Sequence, residues 1–202
     1  DTSDGVFTVA DFTARALHFG GDDIVTIHDI PSIDPKKITV ECWAKFTNLE
    51  NIGEEAGTYP FTQHVIYQEE VSDESAFSID YYIYDGTRYL AFRFGRRSWN
   101  TAVAKYANPP LTPDTWHHLA GTFDGSIVTL YLDGRKIAHD YEDWFRISSH
   151  PVLFLGHNFS GEIDEVRLWN CVRTEEQIRE TMLSEIDGLP GLTSVWHLRG
   201  ED

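Results

Sequence analysis

Three Asp-Gly dipeptides, Asp85-Gly86, Asp124-Gly125 and Asp133-Gly134, each stand between runs of alternating apolar and polar residues. The two-residue turn that matches strand twist needs positive φ at both central positions, and Asp-Gly supplies this at little steric cost. The middle of the chain is therefore committed to antiparallel strands. Residues 77–94 read as a hairpin about Asp85-Gly86. Phe77, Ile79, Tyr81 and Ile83 share one face, and Leu90, Phe92 and Phe94 supply the matching face of the partner strand. Trp116–Phe123, Ile127–Leu132 and 135–139 form a three-strand meander through the other two turns. Upstream, Ile38–Phe46 alternates cleanly: Ile38, Val40, Cys42, Ala44 and Phe46 point one way, and Glu41, Trp43 and Lys45 the other.

Further strands are expected at 152–155, 162–169 and 192–198. One helix is expected after Thr174, which caps it while Gln177 completes a capping box, with Ile178 and Met182 on one face. Pro190 and Gly191 close that region. Segments 48–60 and 98–113 read as long loops. Many short strands joined by turns, with a single helix, indicate a two-sheet sandwich.

The chain has 202 residues, of which 41% are hydrophobic, enough for a substantial core and too many for a disordered chain. No apolar run approaches the roughly 20 residues that span a bilayer, so no membrane insertion is expected. Acidic residues outnumber basic ones 33 to 16, a formal net charge of -17. That balance argues against a nucleic-acid partner and favours cations such as calcium. The first residue is Asp1, which reads as a processed chain or a domain of a larger protein. Cys42 and Cys171 stand alone without a CxxC pair, which excludes a zinc-knuckle or thioredoxin-type spacing and leans toward free thiols.

Five blocks, in order, resemble the laminin-G-like jelly-roll superfamily, which takes in pentraxins and legume-lectin-like domains. They are Ala16 through Val25 with its Gly20-Gly21-Asp22-Asp23 loop, Ile38–Phe46, the run from Thr115 to Gly134, Gly161 to Asn170 with the helix after it, and Gly191 to Trp196. The resemblance implies an all-β, two-sheet antiparallel jelly-roll sandwich of the concanavalin A-like class with one short C-terminal helix. It implies one domain over residues 1–202, with 1–11 as an N-terminal extension or edge strand. It also implies an extracellular or cell-surface setting. Within that frame Trp116, Leu130 and Trp169 are expected in the core.

The resemblance further implies a structural calcium between the opening loop and the strand that begins Gly161-Glu162-Ile163-Asp164. Asp22 and Asp164 would be the side-chain ligands, joined by the Gly20 carbonyl, although Gly20 stands where many relatives carry an acidic residue, and Asp23 competes with Asp22. Glucanases of the superfamily use Glu-x-Asp-x-Glu on one strand face. Here Glu162 and Asp164 share a face, Val166 holds the third position, and Glu165 points away unless a bulge re-aims it. Catalysis is therefore not expected. Sugars are held by aromatic rings against their C–H faces and by a few fixed polar groups. The outward phase of the 77–94 hairpin offers Asp80, Tyr82, Tyr84 and Arg93, with Arg96, Arg97 and Trp99 just beyond; Glu41 and Trp43 have the same phase on their strand. The alternative for Tyr82 and Trp43 is packing beneath a loop or the helix. The expected function is lectin-like binding of a glycan or glycoconjugate. The alternatives are an adhesion module for an extracellular protein and, behind it, a glycoside-cleaving enzyme.

Overall fold

The computed structural model describes residues 16–31, 36–50, 62–68, 76–95, 101–141 and 152–198. Its strands are β1 (Leu17–Gly20), β2 (Val25–Ile27), β3 (Ile38–Phe46), β4 (Thr62–Tyr67), β5 (Ala76–Tyr84), β6 (Thr87–Gly95), β7 (Thr101–Ala107), β8 (Trp116–Phe123), β9 (Ile127–Leu132), β10 (Arg135–Tyr141), β11 (Leu153–Leu155), β12 (Ser160–Trp169) and β13 (Leu192–Trp196). Among the described residues one helix, α1, spans Glu175–Thr181. Sheet I runs β1-β12-β3-β8-β9-β10, with β13 also pairing β12; sheet II runs β2-β11-β4-β5-β6-β7. All the pairings are antiparallel, so the fold is the two-sheet jelly-roll sandwich expected, and the N-terminal extension lies outside the described residues.

Two of the three Asp-Gly turns have the expected geometry. Asp85 and Gly86 have φ of 49° and 68°, and Asp133 and Gly134 have 50° and 70°. The third turn is built differently. The Asp124 carboxylate accepts the backbone N–H groups of Ser126 and Ile127 at 2.9 and 2.7 Å, an Asx-type closure.

The core lies between the sheets. Val40, Cys42, Ala44 and Phe46 of β3 share it with Phe77, Ile79 and Tyr81 of β5 and Phe92 and Phe94 of β6. Phe94 stacks on Phe123 with centroids 4.0 Å apart. Gly121 leaves room for the Phe92 ring, whose Cδ2 would stand 2.2 Å from an added Cβ. Cys42 is buried in this layer and Cys171 is half-buried; both are free thiols.

Three elements depart from the sequence reading. β7 lies within the segment expected to be loop, and β4 carried no strand signal. In β12 a register shift between Asp164 and Arg167, with Glu165 at φ 50°, reverses the side-chain phase. Val166 consequently enters the core, and Glu165 joins Asp164 on the outer side.

The helix and the segment after it cover the outer face of sheet I. Thr174 and Gln177 form the expected capping box. Ile178 packs on Ala120 and Tyr131. Arg173 reaches beneath the helix to Glu41 at 2.8 Å and lies 4.0 Å from the Trp169 ring centroid. Trp169 is thus buried, as expected, but on the outer side of sheet I; Leu130 is in the core and Trp116 is half-buried under Lys45. His117 and His118 face opposite ways, as alternation requires: His117 bonds Asp133, and His118 faces Glu41 at 3.3 Å.

Candidate functional site

The outer face of sheet II carries a continuous set of rings and charges. Strand register fixes its layout in three transverse rows. Phe154, Tyr67, Ser78, Arg93 and Val103 form the first, His64, Asp80, Ala91 and Lys105 the second, and Thr62, Tyr82, Tyr89 and Ala107 the third. Alternation places them opposite the core-facing residues of the same strands, except in β4, where the bulge between His64 and Ile66 brings Tyr67 to the face that His64 shares.

Asp80 is the anchor. It has no solvent exposure, yet three donors converge on its carboxylate. His64 Nδ1 stands 2.7 Å from Oδ1, while Ser78 Oγ and Arg93 Nε donate to Oδ2 at 2.8 and 2.7 Å. Burial by itself raises the carboxyl's pKa, but the hydrogen bond and charge of His64, followed by Arg93 and Ser78, hold it below the ordinary carboxylate range. An ionised carboxylate only accepts, so His64 carries its proton on Nδ1 and presents Nε2 away from Asp80. The Arg93 guanidinium is held on its Nε side and lies 4.8 Å from the Tyr82 ring centroid.

Rings rise around this floor. His64 stacks on His157 at 5.5 Å and 9° between planes, and Tyr67 stacks on Phe154 at 4.8 Å and 16°. Tyr67 also meets both histidines, joining the four rings into one platform. On the other side Tyr82 stacks on Tyr89 at 5.2 Å, and Lys105 Nζ sits 5.4 Å from the Tyr89 centroid. His64, Tyr67, Phe154, His157, Tyr89 and Arg93 are all half-buried, so their faces and edges remain partly open to solvent. Such a surface offers rings for C–H stacking, an oriented imidazole and an oriented guanidinium.

Of the residues expected to bind ligand, Asp80, Tyr82 and Arg93 come together here. Asp80 is not solvent-facing as its phase suggests, since its carboxylate is fully used in positioning neighbours. Tyr82 is only 7% exposed, whereas Tyr84, at the hairpin tip, is 61% exposed. Arg96, Arg97 and Trp99 lie outside the described residues.

Glu41 and Trp43 do not belong to this surface. They share its outward phase but stand on sheet I, where the C-terminal segment seals the face. Glu41 is fully buried against Arg173 and His118, and Trp43 Nε1 donates to the Met182 carbonyl at 2.8 Å. Their role is to seat the helix. Burial of Glu41 works to raise its pKa, but His118 and Arg173 lower it overall.

The residues expected to hold calcium are not brought together either. In the β1–β12 register Gly20 faces Ser160, while Leu17 faces Ile163. Asp164 therefore sits beside the start of β1, whereas Asp22 lies in the bend past Gly20 at the opposite end, four strand positions or about 13 Å away along β1 at about 3.3 Å per residue. Asp164 is 4% exposed and accepts the N–H groups of Glu165 and Leu198 at 2.7 and 3.0 Å. Burial raises its pKa. Gly20 donates its N–H to Asp23 Oδ2 at 2.7 Å, so Asp23 closes the loop. These residues do not fit one cation site. No group of three or more His, Cys, Asp or Glu among the described residues is placed to hold a metal ion.

The glucanase-like strand behaves similarly. The β12 bulge does re-aim Glu165, but into a buried cluster where it bonds Arg167 at 3.0 Å and His197. Glu162 pairs with Lys45 at 2.6 Å.

The sequence reading missed His64, Tyr67, Tyr89, Lys105, Phe154 and His157. Tyr89 had a findable signal, since it lies opposite Tyr82 across a readable hairpin. The others stand on β4, β7 and β11 or in the turn after β11, where alternation is short or broken.

Residues 19–179 match the Laminin_G_3 family, described as the concanavalin A-like lectin/glucanases superfamily. Pappalysin-1 of Mus musculus is 38% identical over 80 residues, which take in 35% of this chain and 5% of that protein, so the match spans about a twentieth of the relative's length. Among solved structures, the native heptameric SAP-like pentraxin of Limulus polyphemus superposes with a TM-score of 0.59 at 14% identity, covering 83% of this chain and 80% of that one. Domain 4 of an extracellular arabinanase from Geobacillus stearothermophilus, solved with arabinotriose, superposes with a TM-score of 0.58 at 18% identity, covering 84% of this chain and 76% of that one. At these identities the two structures are like this chain in fold.

Proposed function

The chain belongs to the concanavalin A-like lectin/glucanases superfamily, and from that premise we propose that it is a non-catalytic glycan-binding module acting outside the cell. The ligand lies on the outer face of sheet II. One observation carries this reading: five half-buried rings, the buried Tyr82 ring and an arginine surround a buried carboxylate that fixes the orientation of His64 and Arg93. On sheet I the outward polar and aromatic residues lie under the helix and the segment after it, as Glu41 and Trp43 do, whereas the rings on sheet II keep part of their surface open. Sugar rings pack on the Tyr67–Phe154 platform and the open edge of Tyr89, while His64 Nε2 hydrogen-bonds a hydroxyl and Arg93 donates to ring or hydroxyl oxygens. The arabinotriose-bound domain supports the reading as a relative in fold that holds an oligosaccharide.

The test is a glycan array probed with the purified chain, with calcium and again with chelator, followed by titration of the strongest glycan against Tyr67→Ala. Binding is expected in both conditions. Tyr67→Ala should weaken it about five- to tenfold, the worth of one aromatic stacking partner. Silence of the folded protein on the array would reject the reading and bring forward a protein-binding adhesion module. Binding abolished by chelator would reject this face in favour of a metal-linked site.

A further inference from the structure

Charge on the proposed glycan face runs against the charge of the chain. The protein carries a formal net charge of -17, and its overall field repels anions. Yet the three rows on the outer face of β4–β7 contain two cations, Arg93 and Lys105, and one carboxylate, Asp80. That carboxylate is fully buried and already accepts from His64, Ser78 and Arg93, so it presents no oxygen to a ligand. The neighbouring carboxylate on β10, Asp140, is likewise engaged, with the backbone N–H groups of Val103 and Tyr141.

We infer that the glycan bound here is acidic, a sugar carrying a carboxylate or sulfate that lies between Arg93 and Lys105. This rests on the glycan reading and specifies its chemistry. Arg93 alone would be explained as the counterion of Asp80. Lys105 is not explained in that way. It is exposed and has no ion pair among the described residues, and its ammonium lies by the Tyr89 ring. Arg93 lies by Tyr82, and Tyr82 stacks on Tyr89, so the two cations flank one pair of stacked rings. Asp80 binds Arg93 through Nε and so orients the guanidinium plane; Arg93 also hydrogen-bonds the Tyr82 side chain, and a planar or tetrahedral oxyanion takes the N–H groups that remain. The sugar ring of the same residue then rests on the partly open edge of Tyr89.

The test uses immobilised oligosaccharides in matched sets: oligogalacturonate, the same chain reduced to neutral galactan, and a sulfated galactan. Wild type, Lys105→Gln, Arg93→Gln and the charge-matched control Lys136→Gln on β10 are compared at low and high salt. The acidic probes should bind at least tenfold more tightly than the neutral one, with the advantage shrinking at high salt. Lys105→Gln should cost about two- to fivefold on acidic probes only, the scale of a solvent-exposed ion pair, and Arg93→Gln more. Lys136→Gln should change nothing. Preference for uronate over sulfate, or the reverse, names the oxyanion. Equal binding of the neutral galactan, or equal behaviour of Lys105→Gln and Lys136→Gln, overturns the acidic assignment and leaves glycan binding standing. Equal competition by polyglutamate also overturns it, because charge alone would then suffice. Silence on every probe of a wider array overturns both.

Discussion

Replacing Asp80 with Asn removes one charge and little volume at the centre of the proposed site. The carboxylate accepts from His64, Ser78 and Arg93. The amide keeps one accepting oxygen but turns an NH2 group toward a former donor, so either one bond is lost or His64 must switch tautomer, and all of them lose charge assistance. A hydrogen bond to a charged group contributes about 1.5–3 kcal/mol. Arg93 is 33% exposed, so water recovers part of its loss. The sum is about 3 kcal/mol at pH 7, or a melting temperature lower by about 6–12 °C at about 2–4 °C per kcal/mol for a chain of this size. Urea unfolding with a common m-value measures it. The pH dependence follows from the direction of the Asp80 shift. Its folded-state pKa lies below the unfolded value of about 3.9, so its contribution is fully present above that value and is lost as pH falls through the folded pKa. The gap between wild type and Asp80→Asn should therefore stay open at neutral pH and close only well below pH 4. A gap under about 1 kcal/mol at pH 7, or one that closes between pH 6 and 5, would refute the account of Asp80 as an ionised anchor.

Gly121→Ala should destabilise the fold by about 3 kcal/mol in the same assay, because the new methyl would meet the Phe92 ring at 2.2 Å. Arg173→Met should cost about 3–5 kcal/mol by leaving Glu41 buried without its guanidinium partner, and Glu41→Gln in the same chain should restore part of it. Asp164→Asn should stay within about 1 kcal/mol of wild type at pH 7, since an amide oxygen still accepts both N–H groups. The raised Asp164 pKa means that wild type is relatively favoured below the unfolded carboxyl pKa and loses that contribution as pH rises through the folded value. Thermal denaturation across pH reads this as a mutant advantage that grows toward neutrality.

The sandwich is legible in the sequence because its middle strands carry their own register marks. Asp85-Gly86 and Asp133-Gly134 set hairpins, and strict alternation in β3 sorts core from exterior. β4 is hidden because its bulge between His64 and Ile66 breaks alternation, and β7 because its core-facing Ala102 and Ala104 are too small to make an apolar run. The β12 bulge is also invisible to alternation, which therefore puts Val166 on the wrong face. Glu41 and Trp43 show a different limit. Outward phase is readable from one strand, but which sheet a strand joins, and whether the helix covers it, are decided by pairings far apart in the chain. The same limit applies to Asp22 and Asp164, whose separation is fixed by the β1–β12 register. Asp80, Tyr82 and Arg93 were findable because one readable hairpin carries all three.

Backbone amide chemical-shift mapping, with the array's strongest glycan titrated into labelled protein, tests the central claim most directly. The account predicts saturable shifts concentrated on β4 to β7 and at His157, with Tyr67, Tyr89 and Arg93 among the largest. Shifts centred instead on the loop around Asp22, or on α1 and the outer face of sheet I, would contradict it.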